Sequence, residues 1–296
     1  MRDRLLTMLA PVSWGTTYVV TATLLPPDRP LLAALLRALP AGLLVLLVVR
    51  RMPPAPIWWL RFTVLGVVNF AAFFPLLFYA AYRLPGGVAA TLGAVQPLMV
   101  AGLAWLALRT RTPSRQLLAA LAGVGGVALM TLTAQARVDA LAVAAMLTGV
   151  ALMALGIVLA KRWGSPGHPL VSTAWQMTLG GLMLAPATLA VEGLPTGLTT
   201  ANVLGYTYLA TIGGAVAYVL WFRGIARLSP TTVSLLTLSN PLTATLAGLV
   251  VLGQTLTPPQ VAGLAIALGA LVAGQKLSRP ASAPRTGEHR PEPVGS

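Results

Sequence analysis

Ten stretches of roughly 20 apolar residues fill this chain almost from end to end, at about 5–23, 30–49, 63–82, 86–108, 115–133, 139–160, 169–191, 200–222, 230–252 and 257–276. At ~1.5 Å per residue such a segment matches the ~30 Å hydrocarbon core of a bilayer, where a helix satisfies its own backbone polar groups. A mean hydropathy of +0.81 with only 9% charged residues leaves no room for a sizeable soluble domain. The expected fold class is all-α integral membrane with ten transmembrane helices. Proline, glycine or charge marks the breaks, as at Pro26-Pro27-Asp28, Leu84-Pro85-Gly86 and Thr257-Pro258-Pro259. The connections are short, so consecutive helices are expected to be antiparallel neighbours. Residues 277–296, rich in Pro, Arg, Ser and Gly, carry no apolar periodicity and read as a disordered tail.

The first span follows Arg2 and Arg4 and runs to about Leu25, with no small-residue cleavage site before Pro26. It reads as an uncleaved helix rather than a signal peptide. The formal net charge of +14 is arranged by side. Arg2, Arg4, Arg50, Arg51, Arg61, Arg109, Arg111, Arg115, Lys161, Arg162, Arg223, Arg227, Lys276, Arg279, Arg285 and Arg290 fall on one face, and Arg29, Arg83 and Arg137 on the other. Basic residues favour the cytoplasmic side, so both termini are expected there, in a multi-pass inner-membrane protein. This sorting accounts for the charge without nucleic acid. Trp58, Trp59, Trp105 and Trp163 near span ends fit an interfacial belt.

The two halves of the chain resemble each other. Arg83-Leu84-Pro85 and Gln96-Pro97-Leu98 align with Arg227-Leu228-Ser229 and Asn240-Pro241-Leu242 at a constant spacing of 144 residues. The same spacing carries Gln116 to Gln260 and Gly125 to Gly269, and weaker matches place Gly15 near Gly156 and Gly42 near Gly181. The expected units are residues 1–137 and 138–276, each a five-helix repeat. Five is odd, so the second repeat enters the membrane in the opposite sense. Inverted repeats are a recurrent transporter plan, with the substrate site near the midplane between them.

What is missing narrows the chemistry. There is no cysteine, and His168 and His289 lie outside the spans. Asp28, Asp139 and Glu192 sit at or beyond outer span ends, and Asp3, Glu288 and Glu292 in the tails. No metal site, cofactor or P-loop is expected. General acid/base catalysis and a side-chain proton relay at depth lack agents, so an enzyme is not expected.

Trp14-Gly15-Thr16, Leu36-Arg37-Ala38, the run Tyr82-Arg83-Leu84-Pro85-Gly86-Gly87-Val88-Ala89 leading to Gln96-Pro97-Leu98, and the glycine-rich fifth and tenth spans together resemble the EamA family of the drug/metabolite transporter superfamily. The likeness covers about residues 5–275. Arg109-Thr110-Arg111 and Gly253-Gln254-Thr255 depart from the Gly-Glu-Arg-like turn that family members often carry after spans 4 and 9. The resemblance implies export or exchange of small metabolites, often amino acids, across the inner membrane.

Candidate site residues follow from polarity at depth. Pro97 and Pro241 interrupt spans 4 and 9 at equivalent positions, each freeing the carbonyl four residues back, Gly93 or Thr237, and each following an amide, Gln96 or Asn240. Matched interruptions point to a transport cavity, or else to structural kinks with the amides as interhelical glue. Arg37 is the one charge inside a span. It either docks a substrate carboxylate or snorkels to the outer face, lying only about seven residues into its helix. Trp14 and Tyr18, four apart, form an aromatic wall or ordinary packing. Trp175, Gln176 and Tyr218 are further substrate-binding candidates, with Asn69 similar. Gly123, Gly125, Gly126, Gly213 and Gly214 read as close-packing contacts. The expected function is export of a small metabolite by alternating access, acting with a small-molecule substrate in the lipid bilayer as a monomer or homodimer. The alternative is multidrug or cation efflux by proton antiport.

Overall fold

The computed structural model describes residues 2–84, 89, 92–131, 139–164, 169–252 and 257–277. The tail expected to be disordered, the Pro85–Val88 turn and the Gly253–Thr255 turn lie outside the described residues. Among the described residues every regular element is helical. In chain order these are α1 (Arg2–Leu24), α2 (Pro30–Val49), α3 (Pro56–Arg83), α4 (Leu92–Leu108), α5 (Ser114–Thr131), α6 (Ala140–Trp163), α7 (Pro169–Val191), α8 (Thr200–Arg227), α9 (Pro230–Leu236 continued by Ser239–Leu252) and α10 (Pro258–Leu277). Six of them, α1, α2, α3, α6, α7 and α8, are long and apolar enough to cross a bilayer, and α4, α5 and α10 hold shorter apolar helices. The chain is an all-helical, multi-pass membrane protein.

Local chemistry sets the ends. Pro30 and Pro56 occupy the first turns of α2 and α3, where a missing N–H costs nothing. Asp139 accepts from the Leu141 and Ala142 amides at the start of α6, and Thr199 and Asn202 cap each other at the start of α8. The N-terminus of α2 is closed from a distance: Glu192, just beyond α7, accepts from the Leu31 amide at 2.6 Å and the Leu32 amide at 2.9 Å. A carboxylate there meets two orphan donors and the positive end of the helix dipole. Glu192→Gln keeps the shape and loses the charge. It is expected to cost about 1 kcal/mol, read as a fall of a few degrees in the thermal unfolding midpoint of the detergent-solubilised protein.

The prolines interrupt their helices where the sequence places them. Helix α9 breaks at Thr237-Leu238, just before Pro241, and α4 carries a turn at Val95, just before Pro97. The Thr237 carbonyl does not stay open, because the backbone N–H of Asn240 donates to it at 2.9 Å.

Two π-helical turns were not anticipated. They occupy Val67–Ala71 in α3 and Thr211–Val216 in α8. Both helices are 28 residues long, and their starts, their ends and the first residues of their π turns are each 144 residues apart. The closest helix pairs show a second correspondence. Helix α2 lies along α7, where a Cβ on Gly42 would come within 2.5 Å of the Thr178 amide nitrogen, and one on Gly181 within 2.6 Å of the Leu39 Cα. Helix α5 lies along α10, with Gly126 against Ala267 and Gly123 against Ala270. In each pair the contacts run in opposite chain order, as between antiparallel helices. Gly125, expected to be a packing contact, instead faces open space.

Polar side chains join the helix ends. Asp3 binds Arg223 at 2.6 Å and Arg227 at 3.3 Å, and Lys161 donates to the Ile225, Ala226 and Leu228 carbonyls at the end of α8. Elsewhere Arg83 pairs with Asp28 and the Tyr82 hydroxyl donates to the Pro26 carbonyl. Residues assigned to one face by the sequence thus meet one another.

Candidate functional site

One cavity is built from residues at helical spacing on seven helices. Helix α1 contributes Trp14, Thr17 and Tyr18, α3 Phe73 and Leu77, and α4 Gly93 and Gln96. Helix α6 contributes Met146, Val150 and Met153, α9 Thr237, Asn240 and Pro241, and α2 and α8 one residue each, Arg37 and Tyr218. Spacings of three and four place each set on a single helix face. The α6 residues straddle the middle of that helix, so the cavity lies at its mid-length. The cavity volume open to water is about 70 Å³. On that measure a water needs roughly 10–15 Å³, so this state holds a few waters and must widen for an organic ligand.

Arg37 is 1% exposed, so it does not snorkel. Its Nη2 donates to the Gly213 carbonyl at 3.2 Å, its Nη1 to Thr17 Oγ1 at 3.4 Å, and its Nε has no partner. The Cζ sits 4.9 Å from the Phe74 ring centroid and 5.9 Å from that of Phe78. Among the described residues no carboxylate pairs with it. The Gly213 carbonyl also accepts from Trp14 Nε1 at 3.0 Å. Gly213 lies in the π turn of α8, where the altered ladder lets one backbone oxygen receive two side-chain donors.

Two of the lining rings, Trp14 and Tyr218, pack against each other and against further rings. Trp14 lies 4.9 Å from Tyr218 and 5.0 Å from Trp221, and Phe70 lies 4.8 Å from Tyr218. These are the separations of tilted and edge-to-face pairs, which fix ring orientation. Among the described residues the side-chain amides of Gln96 and Asn240, both in the lining, make no hydrogen bond to protein.

Six of the eight residues singled out as substrate-binding therefore line one cavity: Trp14, Tyr18, Arg37, Gln96, Tyr218 and Asn240. Of the two helix-breaking prolines Pro241 lines it and Pro97 does not. The other two candidates lie elsewhere. Trp175 Nε1 donates to the Arg51 carbonyl and its ring meets Trp59 edge-on, as at a membrane interface. Gln176 is fully buried and accepts from Asn69 Nδ2 at 2.9 Å, tying α7 to the π turn of α3. Nothing in the amino-acid pattern marks the Gly213 carbonyl or the α6 lining. Met146, Val150 and Met153 resemble any apolar helix face, and only Thr17, polar at mid-span, could have been picked out.

With this geometry in place, comparison with known proteins gives consistent results. The chain is 43% identical over 271 residues to protein PecM of Dickeya dadantii (strain 3937), covering 91% of each. It is 24% identical over 267 residues to the inner membrane transporter YedA of Escherichia coli (strain K12), covering 88% of this chain and 86% of that one. A crystal structure of an 18% identical protein superposes with a TM-score of 0.77 over 94% of this chain and 97% of the other, a likeness of fold. The model of the EamA-like transporter family matches twice, over residues 4–132 and 140–273. The chain belongs to the EamA-like transporter family.

Proposed function

We propose that this membrane transporter carries small organic metabolites such as amino acids outward across a bacterial inner membrane, through the cavity between two inverted five-helix repeats, residues 1–137 and 138–276. All ten helices cross the bilayer in this reading, with both termini cytoplasmic. The common spacing of α3 and α8, their matched π turns and the reciprocal contacts of α2 with α7 and α5 with α10 support it. Antiparallel pairing of equivalent helices is what a two-fold axis in the membrane plane produces. Two halves so related can exchange conformations, which opens the shared site to one side and then the other.

The observation that carries the proposal is the pair of unpartnered amides. Gln96 and Asn240 occupy equivalent positions, one from each repeat, and both line the cavity. Asn240 is half-buried, and neither amide is sealed off as a buried unpartnered atom, so each is open for a ligand or water to meet. Among the described residues the cavity lining contains neither carboxylate nor histidine, so none of these side chains is a carrier for proton antiport. Counterflow of labelled metabolites in proteoliposomes tests this. Exchange is expected to persist with no proton gradient, and a strict requirement for the gradient would favour cation antiport instead.

A further inference from the structure

The register of α2 against α7 pairs Gly42 with Thr178 and Leu39 with Gly181, a spacing of 139 residues between equivalents. At that spacing the equivalent of Arg37 is Gln176, and at the 144-residue spacing of α3 and α8 the equivalent of Asn69 is Gly213. The two polar ties are thus the same tie made twice. Arg37 joins α2 to the π turn of α8, and Gln176 joins α7 to the π turn of α3. The neutral version holds the fold in one half, so a charge is not needed to do so in the other. Yet among the described residues Arg37 is buried with no carboxylate partner, and its Nε has no acceptor. A buried guanidinium is costly unless a counter-charge arrives. Gln176 is shut away from the cavity whereas Arg37 lines it. Among the described residues Arg37 is also the only charged one in that lining.

On the reading of this cavity as the transport site, we propose that its ligand is an organic monoanion with a flat apolar body. A carboxylate docks on Arg37 in the two-pronged geometry a guanidinium offers. The ring system lies among Trp14, Tyr18 and Tyr218, and Gln96 and Asn240 hydrogen-bond any polar substituent. One cation sets the ligand charge at minus one. Among the described residues no lining carboxylate receives an ammonium group, so within the small metabolites proposed above anions rank first, zwitterions such as amino acids second and cations last.

The test uses the full chain and three probes that share one ring: indole-3-acetate, tryptophan and tryptamine. Flux is measured in proteoliposomes, and binding by thermal shift in detergent. Indole-3-acetate is expected to move faster than tryptamine by roughly tenfold or more, the worth of a hydrogen bond to a buried ion. Arg37→Gln, which reproduces the chemistry of Gln176, is expected to unfold near the wild-type temperature and lose that preference. Tryptophan or tryptamine moving as fast as indole-3-acetate in the wild type overturns the anion assignment and leaves transport standing. So does a preference that survives in Arg37→Gln. Binding of indole-3-acetate without flux of any probe supports the anion site and overturns transport through it, and neither binding nor flux overturns both. The wild-type comparison decides the matter even if the variant misfolds.

Discussion

Gly42→Leu is expected to abolish recovery of folded protein, and Gly181→Leu to do the same. Each glycine lies against backbone of the partner helix: a Cβ at 42 meets Thr178 nitrogen at 2.5 Å, and one at 181 meets Leu39 Cα at 2.6 Å. Backbone cannot rotate aside as a flexible side chain can, so α2 and α7 must separate along their whole contact. Ordinary overpacking costs about 1–3 kcal/mol, and displacing two helices costs more, against a total stability of roughly 5–15 kcal/mol. Gly42→Ala already sets a Cβ against the Thr178 backbone and is expected to lower both the unfolding midpoint and the yield, though less than Gly42→Leu. Gly102→Ala and Gly269→Ala serve as controls, because a Cβ at either meets nothing within 4 Å. Helix propensity alone predicts a gain of up to about 1 kcal/mol for these. Yield and thermal unfolding by size-exclusion chromatography separate the two classes. Normal behaviour of Gly42→Leu would show that α2 and α7 are not held at this distance.

The double variant Gln96→Ala with Asn240→Ala is expected to lower transport roughly 10- to 100-fold while leaving stability near normal. The magnitude follows from losing two neutral hydrogen bonds of about 0.5–1.5 kcal/mol each to the ligand. The stability follows from geometry, since among the described residues neither amide makes a protein hydrogen bond that truncation could break. Asn69→Ala is the contrasting case. It breaks the bond to Gln176 and is expected to destabilise the protein by about 1–3 kcal/mol through the buried amide left behind. Proteoliposome flux beside unfolding temperature reads both. A double variant that transports normally would remove the amides from the site.

The contrast between these residues marks how far the sequence could be read. Pro97 and Pro241 were legible because a proline acts on its own helix, and the breaks at Val95 and Thr237-Leu238 lie beside them. Helix positions were legible because span length is a property of consecutive residues. The π turns were not: one extra residue in a turn leaves the apolar pattern nearly unchanged, and neither Asn69 nor Gly213 announces it. That gap explains the two readings of Arg37. By its place in α2 it could have reached the outer surface, but the acceptor that holds it inward is a carbonyl 176 residues away. Gln176 looked like a cavity residue for the same reason, its partner Asn69 being 107 residues distant. Trp175 looked buried by position but lies at the Arg51 end of its helix.

The central claim is that the cavity between the repeats opens to each side of the membrane in turn. The chain has no cysteine, so Leu77→Cys places a unique thiol on the cavity wall at a position with no assigned polar role. Membrane-impermeant charged maleimide is added to one face or the other of oriented vesicles. The account predicts labelling from both faces, with both rates altered by a saturating transported substrate. Labelling from one face only under every condition, or from neither while the denatured protein labels fully, would contradict it.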